Sequence, residues 1–487
     1  ELKNPLDENA TIEGAYRQIN LYKKDIPDIF YYNEICVVSD STEAKAGTLT
    51  ANFERYSAWK SIDTGNIEKE KTALEVLIKG MFDKERLLDI IRNFITFEDG
   101  SAVVKNKKKK KRIVSDKKEK KKIIVKKMAM YHQYYGVSDA IRETLRAAGE
   151  NGDRKIGTYW HTQGSGKSLS MVFYTGKVIR EKELNNPTII VITDRNDLDD
   201  QLYETFCNAN DLIPYPVQAD SVEDLREKIH TLAAGGIIFT TIQKFQTDKE
   251  NIEGLDVNKK MKRAITRGSE YPLLSDRSNI IVMCDEAHRS NYDFLDGFAK
   301  NIRQGLPNAS YIGFTGTPID FEDKSTLQVF GDYISVYDMK QAVLDNATVP
   351  IFYESKVVKL KLENNDIDLD FEEVTENEEE NTKDKLKSKW AALEALVGTS
   401  ERLDIIAKEI VNHFEKRLET LDGKGMIVCM SRRICVDLYE KIIKLRPAWH
   451  SDDIDKGAIK IIMSGNVSKD PKNFAPHLLS KTQMKEI

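Results

Sequence analysis

Residues 161–179 read HTQGSGKSLSMVFYTGKVI. Gly164, Gly166 and the pair Lys167–Ser168 make a glycine-rich turn that enters a helix. Such a turn lets backbone N–H groups close on phosphates, sets the anion at a helix N-terminus, and offers an ammonium to the β- and γ-phosphates. On this reading Lys167 is the phosphate lysine and Ser168 a Mg2+ ligand, with Thr162, Gly164, Ser165 and Gly166 lining the loop. The full spacing GxxxxGK[ST] asks for glycine at position 161, where this chain has His161. The loop therefore needs support from elsewhere in the chain.

NIIVMCDEAH (279–288) supplies it. This apolar run ends in Asp285 and Glu286, and a carboxylate at the tip of a buried strand beside a phosphate loop is where Mg2+ needs a ligand. Asp285 takes that role. Glu286 is placed to orient or deprotonate an attacking water, and His288 to couple the site to its surroundings. Loop and acidic strand end together predict ATP and Mg2+ as cofactors.

Outward from these two stretches, residues 128 to about 350 alternate short Ile- and Val-rich runs with longer helical or mixed segments; TIIVIT (188–193), GIIFTT (236–241) and YIGFTG (311–316) are such runs. Strands that are apolar on both faces, separated by helices, predict a parallel sheet covered on both sides. Upstream, the pattern predicts a helix near 10–24, a strand in EICVVSD (34–40) and helices over 67–95. Downstream, helices over 386–397 and 401–420 lead to two further buried strands, KGMIVCMS (424–431) and IKIIMS (459–464). The fold class is α/β.

The 487 residues are too many for one core. No apolar run approaches the ~18 residues that a membrane span needs. The five cysteines are scattered and never form CxxC, which speaks against zinc or a disulfide framework and for a reducing cytoplasm. Net charge is only −5, but it is unevenly placed. Residues 101–127 carry 14 Lys or Arg against Asp116 and Glu119, and 363–382 carry ten carboxylates with no base. The basic run has two readings, a phosphate-neutralising segment or a solvated linker. The acidic run reads as a connector.

GSGKS, DEAH and FTGTP (314–318), in this order, resemble motifs I, II and III of superfamily 2 helicases and translocases. The resemblance implies two RecA-like domains. It makes Gln133 in YHQYYGV (131–137) a candidate for adenine recognition and Thr315, Gly316 and Thr317 the link from hydrolysis to domain movement. VITDRNDLDDQ (191–201) and TTIQKF (240–245) resemble the segments that track a nucleic-acid backbone, with Arg195, Thr241, Gln243 and Lys244 as contact candidates.

WHTQGSGKS, ITDRNDLDDQ, GFTGTPI and FGDYISVYDMKQAVLDNATVPIFYES (330–355) are more specific and resemble the restriction (motor) subunit of type I restriction enzymes. Upstream, Glu1-Leu2-Lys3 resembles the ExK half of a PD-(D/E)xK nuclease, in which Glu1 would ligate Mg2+ and Lys3 would steady the nucleophile. Gln18 and Tyr22, four apart in AYRQINLY, match the QxxxY element of that family, and GTLTANFERYSAWK (47–60) its following segment.

The resemblance implies ATP-driven translocation along double-stranded DNA, Mg2+-dependent cleavage far from the recognition site, and partner DNA specificity and methyltransferase subunits. The expected domains are the C-terminal part of a nuclease domain (1–100), a basic linker (101–127), a first RecA-like domain (128–330), and a connector with an incomplete second one (331–487). MIVCMSRRICVDLYEKI (426–442) resembles motif IV, but no motif V or arginine-bearing motif VI follows. An arginine finger is worth ~10³–10⁵ in rate, so the sequence as it stands is expected to bind ATP far better than it hydrolyses it. Two rivals share the nucleotide motifs: a translocase without nuclease activity, and an ATP-binding scaffold whose nucleotide only sets the angle between domains.

Overall fold

The computed structural model describes residues 11–40, 42–63, 66–99, 124–193, 196–232, 234–245, 271–288, 298–318, 320–321, 324–356, 394, 397–453, 456–465 and 470–479. The chain divides into two units, Glu1–Ile351 and Phe352–Ile487.

The centre of the first unit is a seven-stranded sheet built from β5 (Lys155–His161), β6 (Thr188–Thr193), β7 (Val217–Gln218), β8 (Ile237–Thr241), β9 (Ile280–Cys284), β10 (Ser310–Thr315) and β13 (Tyr333–Tyr337). Its order is β13-β5-β10-β9-β6-β8-β7 and every pairing is parallel. All residues of β6, β8, β9 and β10 are buried. Their side chains alternate between two cores. Ile189, Val191, Phe239, Met283 and Phe314 face one, and Ile190, Ile192, Ile238, Val282 and Tyr311 face the other. Helices cover the first face through Val137 and Ala140 of α4 (Tyr131–Ala148) and Met171–Tyr174 of α5 (Lys167–Arg180). The second face is covered through Leu225 and Ile229 of α7 (Val222–Thr231) and Ile302 of α8 (Phe298–Gly305). Two covered faces explain why these strands read as unbroken apolar runs.

Before the sheet come α1 (Ile12–Asp25), the antiparallel pair β1 (Ile35–Ser39) and β2 (Ala44–Thr48), then α2 (Ala73–Met81) and α3 (Lys84–Asn93). Each of the three helices starts on a side-chain cap, Thr11, Thr72 or Asp83, that accepts a backbone N–H. β3 (Ile95–Asp99) pairs antiparallel with β4 (Ile124–Met128). The last residues of the expected basic linker are therefore strand, and 100–123 lie outside the described residues. Between β5 and β6, and after β6, run α5 and α6 (Asn196–Asn208). Short β11 (Asp320–Phe321) and β12 (Lys324–Ser325) form a separate pair, followed by α9 (Thr326–Phe330).

Two expectations need correction. The first parallel sheet does not end at residue 330, because β13 pairs with β5 and α10 (Met339–Leu344) follows it. In the second unit, KGMIVCMS forms no strand, and Met426 and Val428 are 88% and 82% exposed. IKIIMS contributes only a single bridge, Met463 to Leu478. A strand needs neighbours to satisfy its backbone groups, and among the described residues of this unit no second strand lies beside them. The core here is instead a helix pair. Leu403, Ala407 and Val411 of α11 (Ser400–Leu418) pack on Ile434, Leu438 and Ile442 of α12 (Arg432–Leu445). The acidic run 363–382 lies outside the described residues. No described helix is long and apolar enough to cross a membrane.

Candidate nucleotide site

β5 ends at His161, and the loop that follows turns through Gly164 and Gly166 at φ +82° and +83°. Only glycine holds this left-handed backbone without strain. Gly166 caps α5, whose first turn carries neither a side-chain cap nor an acidic residue. A helix start of this kind offers its leading N–H groups to an anion. Thr162 anchors the loop. Its N–H donates to the Tyr337 carbonyl at 2.9 Å, and its own carbonyl accepts from Ser165 N–H at 3.2 Å and Ser165 Oγ at 2.6 Å.

α4 braces the same loop from behind. His132 Nε2 donates to the Ser165 carbonyl at 3.2 Å, and Gln133 Nε2 to the Gly166 carbonyl at 3.0 Å. Gln133 Oε1 accepts from Met130 N–H at 2.8 Å. The buried Gln133 amide, a candidate for adenine recognition by sequence, here ties the start of α4 to the loop.

The acidic end of β9 stands at the same edge of the sheet. Asp285 N–H continues the ladder to the Ile192 carbonyl at 2.9 Å, and Asp285 Oδ1 accepts from Glu286 N–H at 2.9 Å. Glu286 has φ +48°, an uncommon backbone for a non-glycine residue. The residue is only partly exposed, and its buried Oε2 lacks a hydrogen-bond partner. His288 Nδ1 lies 3.4 Å from that oxygen and 2.8 Å from Thr315 Oγ1. β10 brings in Thr315 and Gly316. A Cβ built on Gly316 would stand 3.2 Å from Lys167 Nζ, and the Gly316 carbonyl accepts from Trp160 Nε1 at 3.1 Å. Burial pushes the Lys167 ammonium pKa down, while the nearby Glu286 and Asp285 carboxylates act to raise it.

The structure therefore brings Thr162, Gly164, Ser165, Gly166, Lys167, Ser168, Asp285, Glu286, His288, Thr315, Gly316 and Thr317 to the carboxyl edge of one parallel sheet, with Gln133 behind the loop. This edge is where open α/β sheets bind ligands. The donor set fits a magnesium nucleotide: a glycine cradle, a half-buried ammonium at Lys167, a hydroxyl at Ser168, and a carboxylate oxygen of Glu286 without a hydrogen-bond partner.

The remaining candidates are dispersed. Gln18 and Tyr22 share α1, with Glu1 and Lys3 outside the described residues. Arg195 is outside them too. Thr241 is buried at the end of β8, and Lys244 donates to the Ala219 carbonyl, so both serve the local fold in this structure. Sequence reasoning missed His132 as a loop brace. Its only signal was adjacency to Gln133.

Residues 132–384, just over half of the 487-residue chain, match the family model of SWI2/SNF2 ATPases. The chain belongs to the SWI2/SNF2 ATPase family. The match begins at His132 and takes in the phosphate loop, Asp285–Glu286, Thr315–Gly316 and the whole seven-stranded sheet. Residues 1–55 match the model of the type I restriction enzyme R protein N terminus.

The type I restriction enzyme HindI endonuclease subunit of Haemophilus influenzae is 44% identical over 504 residues, covering all of this chain and 43% of that protein. The SsaAORF53P endonuclease subunit of Staphylococcus saprophyticus is 27% identical over 315 residues, covering 63% of this chain and 29% of its own length. This chain thus spans less than half the length of either curated relative. Among solved structures, the ATP-dependent Type ISP restriction-modification enzyme LlaBIII bound to DNA aligns with a TM-score of 0.32 and 14% identity. That alignment covers 47% of this chain and 17% of LlaBIII, a likeness too low to bear on function.

Proposed function

We propose that this SWI2/SNF2 ATPase is the motor and nuclease portion of a type I restriction endonuclease subunit. It uses ATP to translocate along double-stranded DNA and cuts with Mg2+ away from the recognition site. DNA specificity and methyltransferase subunits supply recognition, and the setting is cytoplasmic, where its five free cysteines stay reduced. The observation that carries the motor half is the convergence of Lys167, Asp285–Glu286 and Thr315–Gly316 on one sheet edge. The 44% identity to a HindI subunit and the R-protein match over residues 1–55 support the nuclease half.

In the motor, the N–H groups at the start of α5 and the Lys167 ammonium bind the phosphates. Ser168 and Asp285 would hold Mg2+, which when bound neutralises charge building on the phosphoryl oxygens. Glu286 Oε2, without a hydrogen-bond partner, is free to orient a water and take its proton. Proton and charge changes at Glu286 reach Thr315 through His288, which lies within 3.4 Å of the one and 2.8 Å of the other. In the nuclease, Glu1 would ligate Mg2+, Lys3 would steady the developing charge, and Gln18 and Tyr22 would support them from α1.

Lys3→Ala in the complete, assembled enzyme tests the reading. Loss of DNA cleavage with ATP consumption intact is expected. Cleavage preserved alongside normal ATP consumption would overturn the assignment of the nuclease site to Glu1 and Lys3.

A further inference from the structure

Asp345 sits just past the end of α10, and its side chain is only 9% exposed. Four donors converge on it, Lys60 and Tyr131 from distant parts of the first unit and Tyr337 and Gln341 from the adjoining strand and helix. Lys60 Nζ (2.5 Å) and Gln341 Nε2 (2.7 Å) donate to Oδ1. The hydroxyls of Tyr131 and Tyr337, both at 2.8 Å, donate to Oδ2. Tyr131 opens α4, Tyr337 closes β13, and Lys60 belongs to the segment after β2.

Tyr337 then touches the nucleotide loop in two ways. Its carbonyl receives the Thr162 N–H at 2.9 Å. Its ring stacks on His132 with centroids 3.8 Å apart and planes 8° from parallel, and His132 holds the Ser165 carbonyl. A buried carboxylate that saturates both oxygens fixes the rotamers of all its donors, and its charge strengthens each bond. Burial acts to raise the Asp345 pKa, but the hydrogen bonds from Lys60, Tyr131 and Tyr337 outweigh it and keep the group ionised below the usual carboxylate range.

We infer that Asp345 is a positioning residue for ATP: through Tyr337 and His132 it sets the loop from Thr162 to Ser165, and through Lys60 it ties that setting to the N-terminal segment. The inference rests on the nucleotide-site reading above. Tyr337 acts as the relay, because its hydroxyl meets Asp345 while its carbonyl and ring meet the loop wall. Lys60 is the input from the segment that follows β2.

The test is titration of a fluorescent ATP analogue, together with steady-state ATPase kinetics, on the assembled enzyme with parent, Asp345→Asn, Tyr337→Phe, Lys60→Met and Lys60→Arg chains. Losing a charge-assisted hydrogen bond corresponds to on the order of tenfold in affinity. Asp345→Asn is expected to weaken analogue binding and raise KM for ATP by about that factor, with kcat at saturation within about twofold. Tyr337→Phe keeps the stacked ring and the carbonyl, so a smaller weakening in the same direction is expected. Lys60→Met is expected to weaken binding and Lys60→Arg to restore it.

Melting temperatures within a few degrees of the parent establish that the variants are folded. Folded Asp345→Asn and Tyr337→Phe proteins that bind the analogue as the parent does would overturn the inference alone. A folded parent that binds no analogue would overturn the nucleotide-site reading as well. A Lys60→Met loss that Lys60→Arg does not restore removes Lys60 from the relay.

Discussion

His288 Nδ1 and Thr315 Oγ1 lie 2.8 Å apart, a hydrogen bond that joins the acidic end of β9 to the end of its parallel neighbour β10. Thr315 Oγ1 also accepts from Thr317 N–H at 3.1 Å. One threonine thus receives the loop after β10 and reports to the strand end that carries Asp285 and Glu286.

Thr315→Val keeps the shape of the side chain and removes both bonds. ATP affinity should stay within about threefold, while DNA-stimulated turnover in the assembled enzyme should fall by roughly 3–10-fold, the value of one neutral hydrogen bond. Parallel binding and turnover measurements check it.

Glu286→Gln preserves size but removes the base. Nucleotide binding should survive and hydrolysis should drop by about 10²–10⁴, the usual worth of a positioned base. An equal loss of binding and turnover would mean that Glu286 acts on the loop instead.

Gly166→Ala places a Cβ at φ +83° and 2.7 Å from Gln133 Nε2. The left-handed backbone alone costs about 1–2 kcal/mol, and Gln133 must also leave the Gly166 carbonyl. Nucleotide affinity should fall by on the order of tenfold or more. Affinity equal to that of the parent would show that the loop closes without this contact.

Acid should loosen the loop wall. Burial pushes the His132 pKa down to about 4 from an ordinary 6.5. Because the folded value is depressed, the stability from neutral His132 is complete above about pH 6.5 and is lost as pH falls toward 4. At 1.36 kcal/mol per pH unit that window is worth roughly 3 kcal/mol. Melting temperature followed from pH 7 to 4 should fall, and His132→Asn should fall less steeply over the same range.

The parts of the molecule legible in the sequence were those whose physics is local. β6, β9 and β10 read correctly because two covered faces demand unbroken apolar runs, and the turn into α5 because Gly164 and Gly166 hold the left-handed backbone it needs. β13 was harder. Tyr333–Tyr337 is an edge strand with partly exposed positions, so its membership of the first sheet is decided by pairing with β5. The run at 424–431 failed for the opposite reason. Its composition suits a strand, but composition supplies no neighbour. Asp345 has one donor within a helical turn, Gln341, but Lys60 and Tyr131 reach it only in the folded unit, so the cluster is not legible in the sequence. Lys244 shows the converse. Its position in TTIQKF points to phosphate, whereas its ammonium closes on the Ala219 carbonyl.

The proposed function is a motor that tracks duplex DNA on the energy of ATP. Its most direct test is ATP consumed by the assembled enzyme as a function of duplex length beyond the recognition site, with Lys167→Ala as the paired variant. Consumption that rises with length in the parent and vanishes in Lys167→Ala is the predicted result. Consumption independent of DNA length, or unchanged in Lys167→Ala, would contradict the account.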